Sequence, residues 1–119
     1  MSDILRLVTN SRRGRAVGFN GMLFLGGQAA EDRSSGIEDQ TRQVLAKIDQ
    51  ILESAGVDKR RLLSVQIWLQ NIERDFAGMN AVWDDWVDVE HAPARATAQC
   101  EMGAADVLIE IIATAALPQ

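Results

Sequence analysis

The chain has 119 residues and 13.1 kDa, one domain's worth of sequence, and its 47% apolar and 24% charged residues are the make-up of an ordinary globular protein. Twelve basic against 17 acidic side chains leave a net charge of −5, which argues against a dedicated nucleic-acid binder and against a polybasic membrane-surface role. One cysteine, Cys100, excludes an intramolecular disulfide, and one histidine, His91, leaves a zinc or transition-metal site without its usual ligands.

In chain order, Ile4 to Val8 supplies a first candidate strand. Asn20-Gly21 stands between Arg15–Phe19 and Met22–Leu25, a two-residue hairpin signal because both turn residues tolerate positive φ. Ile37, Thr41, Val44, Leu45, Ile48, Ile51, Leu52 and Ala55 then recur at three- and four-residue intervals, which predicts a helix over about 35–55. Ser35 with Glu38 three places on reads as a capping box, and Gly56 as a left-handed C-terminal stop. Leu63, Val65, Ile67 and Leu69 alternate with Ser64, Gln66 and Trp68, as a strand does. A second helix follows, with Phe76, Met79, Val82, Trp83 and Trp86 on one face, a cap at Asn71 or Asp75, and an end near Val87. Residues 94–101 alternate small apolar with polar side chains, and 107–116 (VLIEIIATAA) is apolar on both faces except at Glu110 and Thr114.

No linker, low-complexity segment or repeat divides the chain, so residues 1–119 read as a single domain. No apolar run approaches the ~18 residues of a membrane span. The opening stretch MSDILRLVTNSRRGR has no basic segment leading into an apolar one, so it does not read as a secretory signal, and the expected address is a reducing cytoplasm. The order β-β-β-α-β-α-β-β predicts an α/β (α+β) fold, a mixed sheet with two helices on one face. The second sheet face then has no covering layer, although the final strand is apolar on both sides. Large exposed apolar patches are uncommon, so the expectation is oligomerisation through the open face.

Five stretches carry a resemblance: Gly27-Gln28 after the hairpin, QTRQVLAKIDQILESAG at 40–56, DFAGMNAVWDDW at 75–86, HAPARATAQ at 91–99 and VLIEIIATAA at 107–116. In this order and spacing they resemble the YjgF/RidA family of reactive intermediate deaminases, and within it the small YoaB-like branch. The resemblance covers nearly the whole chain from about Gly14. It implies a chorismate-mutase-like fold, a homotrimer with clefts between subunits, and hydrolysis of reactive enamines and imines to a 2-keto acid and ammonia with no cofactor.

The plainer reading of Arg95 is a surface cation paired with one of the 17 acids, worth little energy. Yet Arg95 lies among Ala94, Ala96 and Ala98, whose small side chains leave room for a ligand, and a guanidinium matches a carboxylate bidentately. Pro93-Ala94-Arg95 matches the step that precedes the family's substrate-binding arginine. Glu110, inside VLIEIIATAA, is costly to bury unless paired or protonated; its plainer reading is an outward residue at a sheet edge. Glu110-Ile111 matches the family's glutamate that holds the hydrolytic water. A short hairpin of 94–101 with 107–116 brings Arg95 and Glu110 near one another, in a register the pattern leaves open.

Thr97 stands where many family members have cysteine, beside main-chain groups that also bond the water; otherwise it is simply a good strand residue. Cys100 points away from Arg95 by strand parity and reads as core. Arg13, within Arg12-Arg13-Gly14-Arg15, falls by an ungapped count where the family has a cleft aromatic, often tyrosine, and this chain has no tyrosine. Its plainer reading is a solvated loop; inside the cleft it adds a second anion contact and changes the preferred substrate. Gly26 and Gly27 match the family's pocket-lining loop, against a plain turn. Asn80 matches a family asparagine in the second helix, against a surface or capping role. Trp68, Trp83 and Trp86 read as core or interface, and His91 as a loop residue without chemistry.

The residues and the resemblance together point to a cofactor-free, metal-free hydrolase of small 2-imino or 2-enamino acids. Substrate-binding residues are Arg95, Gly26, Gly27, Arg13 and Asn80, and the water is held at Glu110 and Thr97. Its rival is a non-enzymatic trimer that binds a carboxylate metabolite in the same clefts, needing Arg95 but not Glu110. A nucleic-acid-acting protein is the third reading, and the net charge of −5 disfavours it.

Overall fold

In the computed structural model, which describes residues 3–118, β1 (Leu5–Thr9), β2 (Gly14–Phe19) and β3 (Met22–Gln28) form an antiparallel meander. The β2–β3 turn is the expected one: Asn20 and Gly21 have φ of 53° and 75°, and Phe19 faces Met22 across the hairpin. The longer β1–β2 turn is pinned by Asn10, whose side-chain oxygen accepts from the amides of Arg12 and Arg13 while its own amide donates to the Arg13 carbonyl.

Helix α1 (Ile37–Ser54) buries Thr41, Val44, Leu45, Ile48, Ile51 and Leu52, the face that the periodicity predicts. Its start differs. Gly36 is the N-cap and no side chain caps the helix, so Ser35 lies one position too early for a capping box and its hydroxyl donates to Asp39 instead, at 2.6 Å. Gln40, also fully buried, donates to the carbonyls of Ser35 and Asp106 and accepts from the Leu108 amide, tying the chain before the last strand to α1. Gly56, with φ of +80°, closes the C-terminus as expected, its amide bonding the Glu53 carbonyl.

A 3-10 turn at Lys59–Arg61 leads into β4 (Leu62–Leu69), α2 (Ile72–Trp86), β5 (Ala94–Gln99) and β6 (Ile109–Ala116). Asn71 caps α2 by accepting from the Arg74 amide at 2.9 Å. Phe76, expected in the core, is exposed; Asp75 is buried in its place, one helical step round and in line with Met79, Val82 and Trp83. Its carboxylate is satisfied by a bidentate clasp from Arg74, both contacts at 2.8 Å.

The sheet runs β1-β2-β3-β6-β4-β5. This corrects the hairpin expected between the last two strands. β5 lies at the edge, parallel to β4, with α2 as the crossover, while β6 pairs antiparallel with both β3 and β4 in the middle of the sheet. Both helices cover one face, where Leu23, Leu25, Val65, Ile67, Leu69, Ile109, Ile111 and Ala113 pack against them. The other face is uncovered. It presents Phe24, Gln66, Trp68, Glu110, Ile112 and Thr114, exposed or half-buried. Its polar members make it less apolar than expected.

Candidate active site

One group of candidate side chains is built where β3 and β6 fall out of step. Their register shifts between Leu25 and Gln28, placing Gly26 and Gly27 in a bulge. The two glycines differ. A Cβ on Gly27 would stand 2.9 Å from the Glu110 carboxyl carbon, so close approach to that side chain requires glycine. A Cβ on Gly26 would meet only the Gly14 and Arg15 carbonyls, at an ordinary 3.6 and 3.7 Å. Gln28 fixes the bulge from inside: it is buried, its amide nitrogen donates to the Gly26 carbonyl at 2.9 Å, and its oxygen accepts from Arg15 at 3.1 Å. Arg13 donates from Nη1 to the Gly27 carbonyl at 3.3 Å. Arg13, Gly27 and Glu110 therefore share one locality. Among the described residues, the half-buried Glu110 carboxylate has neither an ion pair nor a protein hydrogen-bond donor.

A second group is built on the edge strand. Arg95 pairs with Val65 and Thr97 with Ile67, and both partners face the helices, so Arg95 and Thr97 do too. The Arg95 guanidinium carbon lies 5.3 Å from the centre of the Trp83 ring, within cation–π range. Trp83 in turn meets Trp86, ring centres 5.4 Å apart and tilted 49°, and Lys59 lies 4.9 Å from the Trp86 ring. Trp86 is itself held by its indole N–H, which donates to Asp49 at 2.9 Å. Arg95 has no ion pair among the described residues. The Thr97 hydroxyl is buried without a hydrogen-bond partner, which leaves it a donor and an acceptor to offer. Asn80 stands half-buried on α2, one turn before Trp83.

Within one chain the two groups do not meet. Arg95 and Glu110 lie two strands and three residues apart, a Cα separation of about 14 Å, and on opposite faces of the sheet. Three surface cavities of about 320, 650 and 270 Å³ lie elsewhere, and neither residue lines any of them. Cys100 is not core: β5 stops at Gln99, and Cys100 sits half-buried outside the hydrophobic cluster. His91 occupies the loop before β5. Its ring hydrogen-bonds Asp88 at 3.1 Å, which holds the Asp88 carboxyl below the usual carboxylate range. No group of three potential metal ligands gathers among the described residues, and no helix among them is long and apolar enough to cross a membrane.

Trp83 is the site-lining residue whose role its sequence setting concealed. On a helix face an aromatic reads as core, which Trp83 also is; only the parallel pairing of β4 with β5 places Arg95 over it.

Residues 6–117 match the family model described as Endoribonuclease L-PSP. A RutC family protein of Haemophilus ducreyi is 34% identical over 96% of this chain and 97% of its own length. The RutC family protein YoaB of Escherichia coli is 35% identical over 96% of this chain and 98% of its own. A crystal structure of a YjgF-family member from Neisseria meningitidis superposes with a TM-score of 0.94 at 38% identity, covering 98% of this chain and 97% of that one. A family model matched over nearly the whole length, relatives more than 30% identical from end to end and a fold that superposes closely lead to one conclusion: the chain belongs to the YjgF family.

Proposed function

We propose that the protein is a hydrolytic deaminase of small 2-imino or 2-enamino acids, working in clefts between the subunits of a homotrimer. One observation carries this reading. Arg95 and Glu110, the cation and the carboxylate that the chemistry requires, each lack an ion-pair partner among the described residues and face opposite sides of the sheet. A second copy laid on the open face carries its edge strand, and with it Arg95, toward the Glu110 and Gly27 of its neighbour. The exposed Phe24 and half-buried Ile112 supply apolar surface for that contact.

In such a cleft Arg95 grips the substrate carboxylate with two parallel N–H bonds, and the Trp83 ring, 5.3 Å from its guanidinium carbon, supports it by a cation–π contact. This orients the imine carbon, replacing an encounter with a fixed geometry. A protonated imine is already electrophilic, so the remaining task is to place water. Glu110 accepts a proton from that water as it attacks, and the Thr97 hydroxyl and its main chain hold the oxygen. The carbinolamine then collapses: Glu110 returns the proton to nitrogen, the C–N bond breaks as the hydroxyl oxygen forms the carbonyl, and the hydroxyl proton passes to the departing ammonia, so that a 2-keto acid and ammonium leave. The acidic balance of −5 supports a small substrate over RNA, despite the endoribonuclease in the family model's description.

The test is competition with semicarbazide. An amino-acid oxidase supplies imines, semicarbazide traps them, and the protein lowers the yield of trapped imine in proportion to its concentration. Trapping unaffected by a folded protein that still binds 2-keto acids would replace the enzyme with a carboxylate-binding protein. Light scattering at micromolar concentration gives about three times 13.1 kDa, and a monomer there removes the cleft altogether.

A further inference from the structure

Arg13 is the cation that the mechanism leaves unused. Its turn is not a loose loop: Asn10 binds the amides of Arg12 and Arg13 at 2.8 and 2.9 Å, and the Arg13 side chain is tethered to the Gly27 carbonyl. That carbonyl belongs to the residue whose α-carbon abuts Glu110. Arg13 has no ion pair among the described residues. Glu31 feels its field, but the Glu31 carboxylate is already taken, with Lys47 donating to it at 2.8 Å. One backbone carbonyl satisfies a single N–H of a guanidinium that has five. A subunit packed over the open face strips water from this cation, and a desolvated cation wants an anion. Glu110 is the nearby carboxylate, and the reaction commits it to water.

We propose that Arg13 selects substrates with a second carboxylate, so that the preferred substrate is a four- or five-carbon 2-imino dicarboxylic acid. This deepens the deaminase reading and rests on it. Arg95 takes the carboxylate next to the imine carbon, and Arg13 takes the distal one. The reaction is unchanged: the imine carbon gains oxygen from water, its bond to nitrogen breaks, and a 2-keto dicarboxylic acid and ammonium form. The distal carboxylate also answers an electrostatic problem. A dianion approaching Glu110 is repelled, and a cation tethered to the carbonyl of the same strand bulge offsets that repulsion. A monocarboxylic imine brings no partner for Arg13 and leaves it underused in the closed cleft. The loss of one charge-assisted contact corresponds to about 10–100-fold in binding.

The experiment compares imines made in place by amino-acid oxidases from aspartate and glutamate with those from alanine and leucine, read by semicarbazide competition. The wild-type protein favours the dicarboxylic imines by about tenfold or more in kcat/KM. Arg13→Ala and Arg13→Gln both bring that ratio down toward one, because glutamine retains a donor for the Gly27 carbonyl but carries no charge. Calorimetry with 2-oxoglutarate against 2-oxobutyrate gives the same ratio in binding, independent of any chemistry. A wild-type ratio near one, or a ratio that survives Arg13→Gln, overturns the selection by charge while leaving the deaminase intact. Hydrolysis of no imine, with the dicarboxylate preference still present in binding and lost in Arg13→Gln, overturns the deaminase while leaving the role of Arg13 intact.

Discussion

The two faces of the sheet are made from alternate residues of the same strands, yet they solve different problems. On the helix side of β6, Ile109, Ile111, Ala113 and Ala115 are all buried, and the neighbouring β4 and β3 supply Val65, Ile67, Leu23 and Leu25 to the same core. On the other side, β6 sets Glu110, Ile112, Thr114 and Ala116 in half-open positions, beside Trp68 and an exposed Phe24. The first face is finished within one chain; every buried apolar side chain there has its neighbours. The second holds a carboxylate, a glycine kept bare for it, and apolar residues without a cover. Apolar burial within the chain is concentrated on one face, while Glu110 stands on the other, where a side chain can be changed without opening the core.

That contrast predicts its largest effect at Glu110. Glu110→Gln keeps the size but loses the charge and the proton acceptor, so imine hydrolysis falls by about 100–10,000-fold while the melting temperature moves little and 2-keto acid binding holds or improves. An unchanged rate in a folded Glu110→Gln protein breaks the division of labour. Arg95 sharpens the contrast, since it stands on the helix side but at the uncovered edge. Arg95→Ala weakens 2-keto acid binding by about 10–100-fold in calorimetry, and Arg95→Lys recovers only part, because an ammonium lacks the fork. Full binding by Arg95→Ala makes the residue a surface cation.

The glycine pair offers a finer comparison. Gly27→Ala meets the flexible end of Glu110 rather than backbone, so the fold absorbs it within about 1 kcal/mol while the displaced carboxylate loses most of its rate. Gly26→Ala meets ordinary contacts and costs little of either. Equal losses of activity from both substitutions argue that the bulge matters only as backbone. The smallest effect is in acid. Asp58 accepts from the side chain and amide of Arg60, which holds its carboxyl down at about 2. A depressed carboxyl stabilises the fold above its unfolded value, near 4, and the contribution is lost as pH falls toward 2. Asp58→Asn therefore lowers the melting temperature slightly at neutral pH and by nothing below pH 2; a deficit that persists in strong acid assigns the loss to the cap and not the charge.

Much of this architecture is legible in the sequence. Asn20-Gly21 marked its turn, the spacing of Val44, Leu45, Ile48 and Leu52 marked the buried stripe of α1, and Gly56 marked its end. These are local signals, decided within a few residues. The neighbours of β5 and β6 are decided by packing across the whole sheet, and alternation says nothing about who pairs with whom. A clue was present: the run of strand, helix and strand from Leu62 to Gln99 is a crossover, which favours parallel neighbours over a hairpin. Asp75 was hidden because an acid reads as solvent-facing until Arg74 clasps it. For the candidate site, the family resemblance pointed to Arg95, Glu110 and Gly27, whereas the approach of Arg95 to Trp83 and the opposite facing of the two charged groups emerge only from the pairing of strands.

The place of β6 has a consequence for how the protein is made. The strand that comes latest in the chain lies between β3 and β4, so until residues 109–116 are available the sheet exists as two separate pieces. During synthesis α1 can form and the meander β1–β2–β3 can close, yet β3 and β4 both lack the strand that lies between them while β6 remains inside the ribosome. The nascent chain therefore carries the exposed edges of β3 and β4 until late in its translation, and folding is completed as one late event, with the Glu110 carboxylate arriving on the strand that joins the halves.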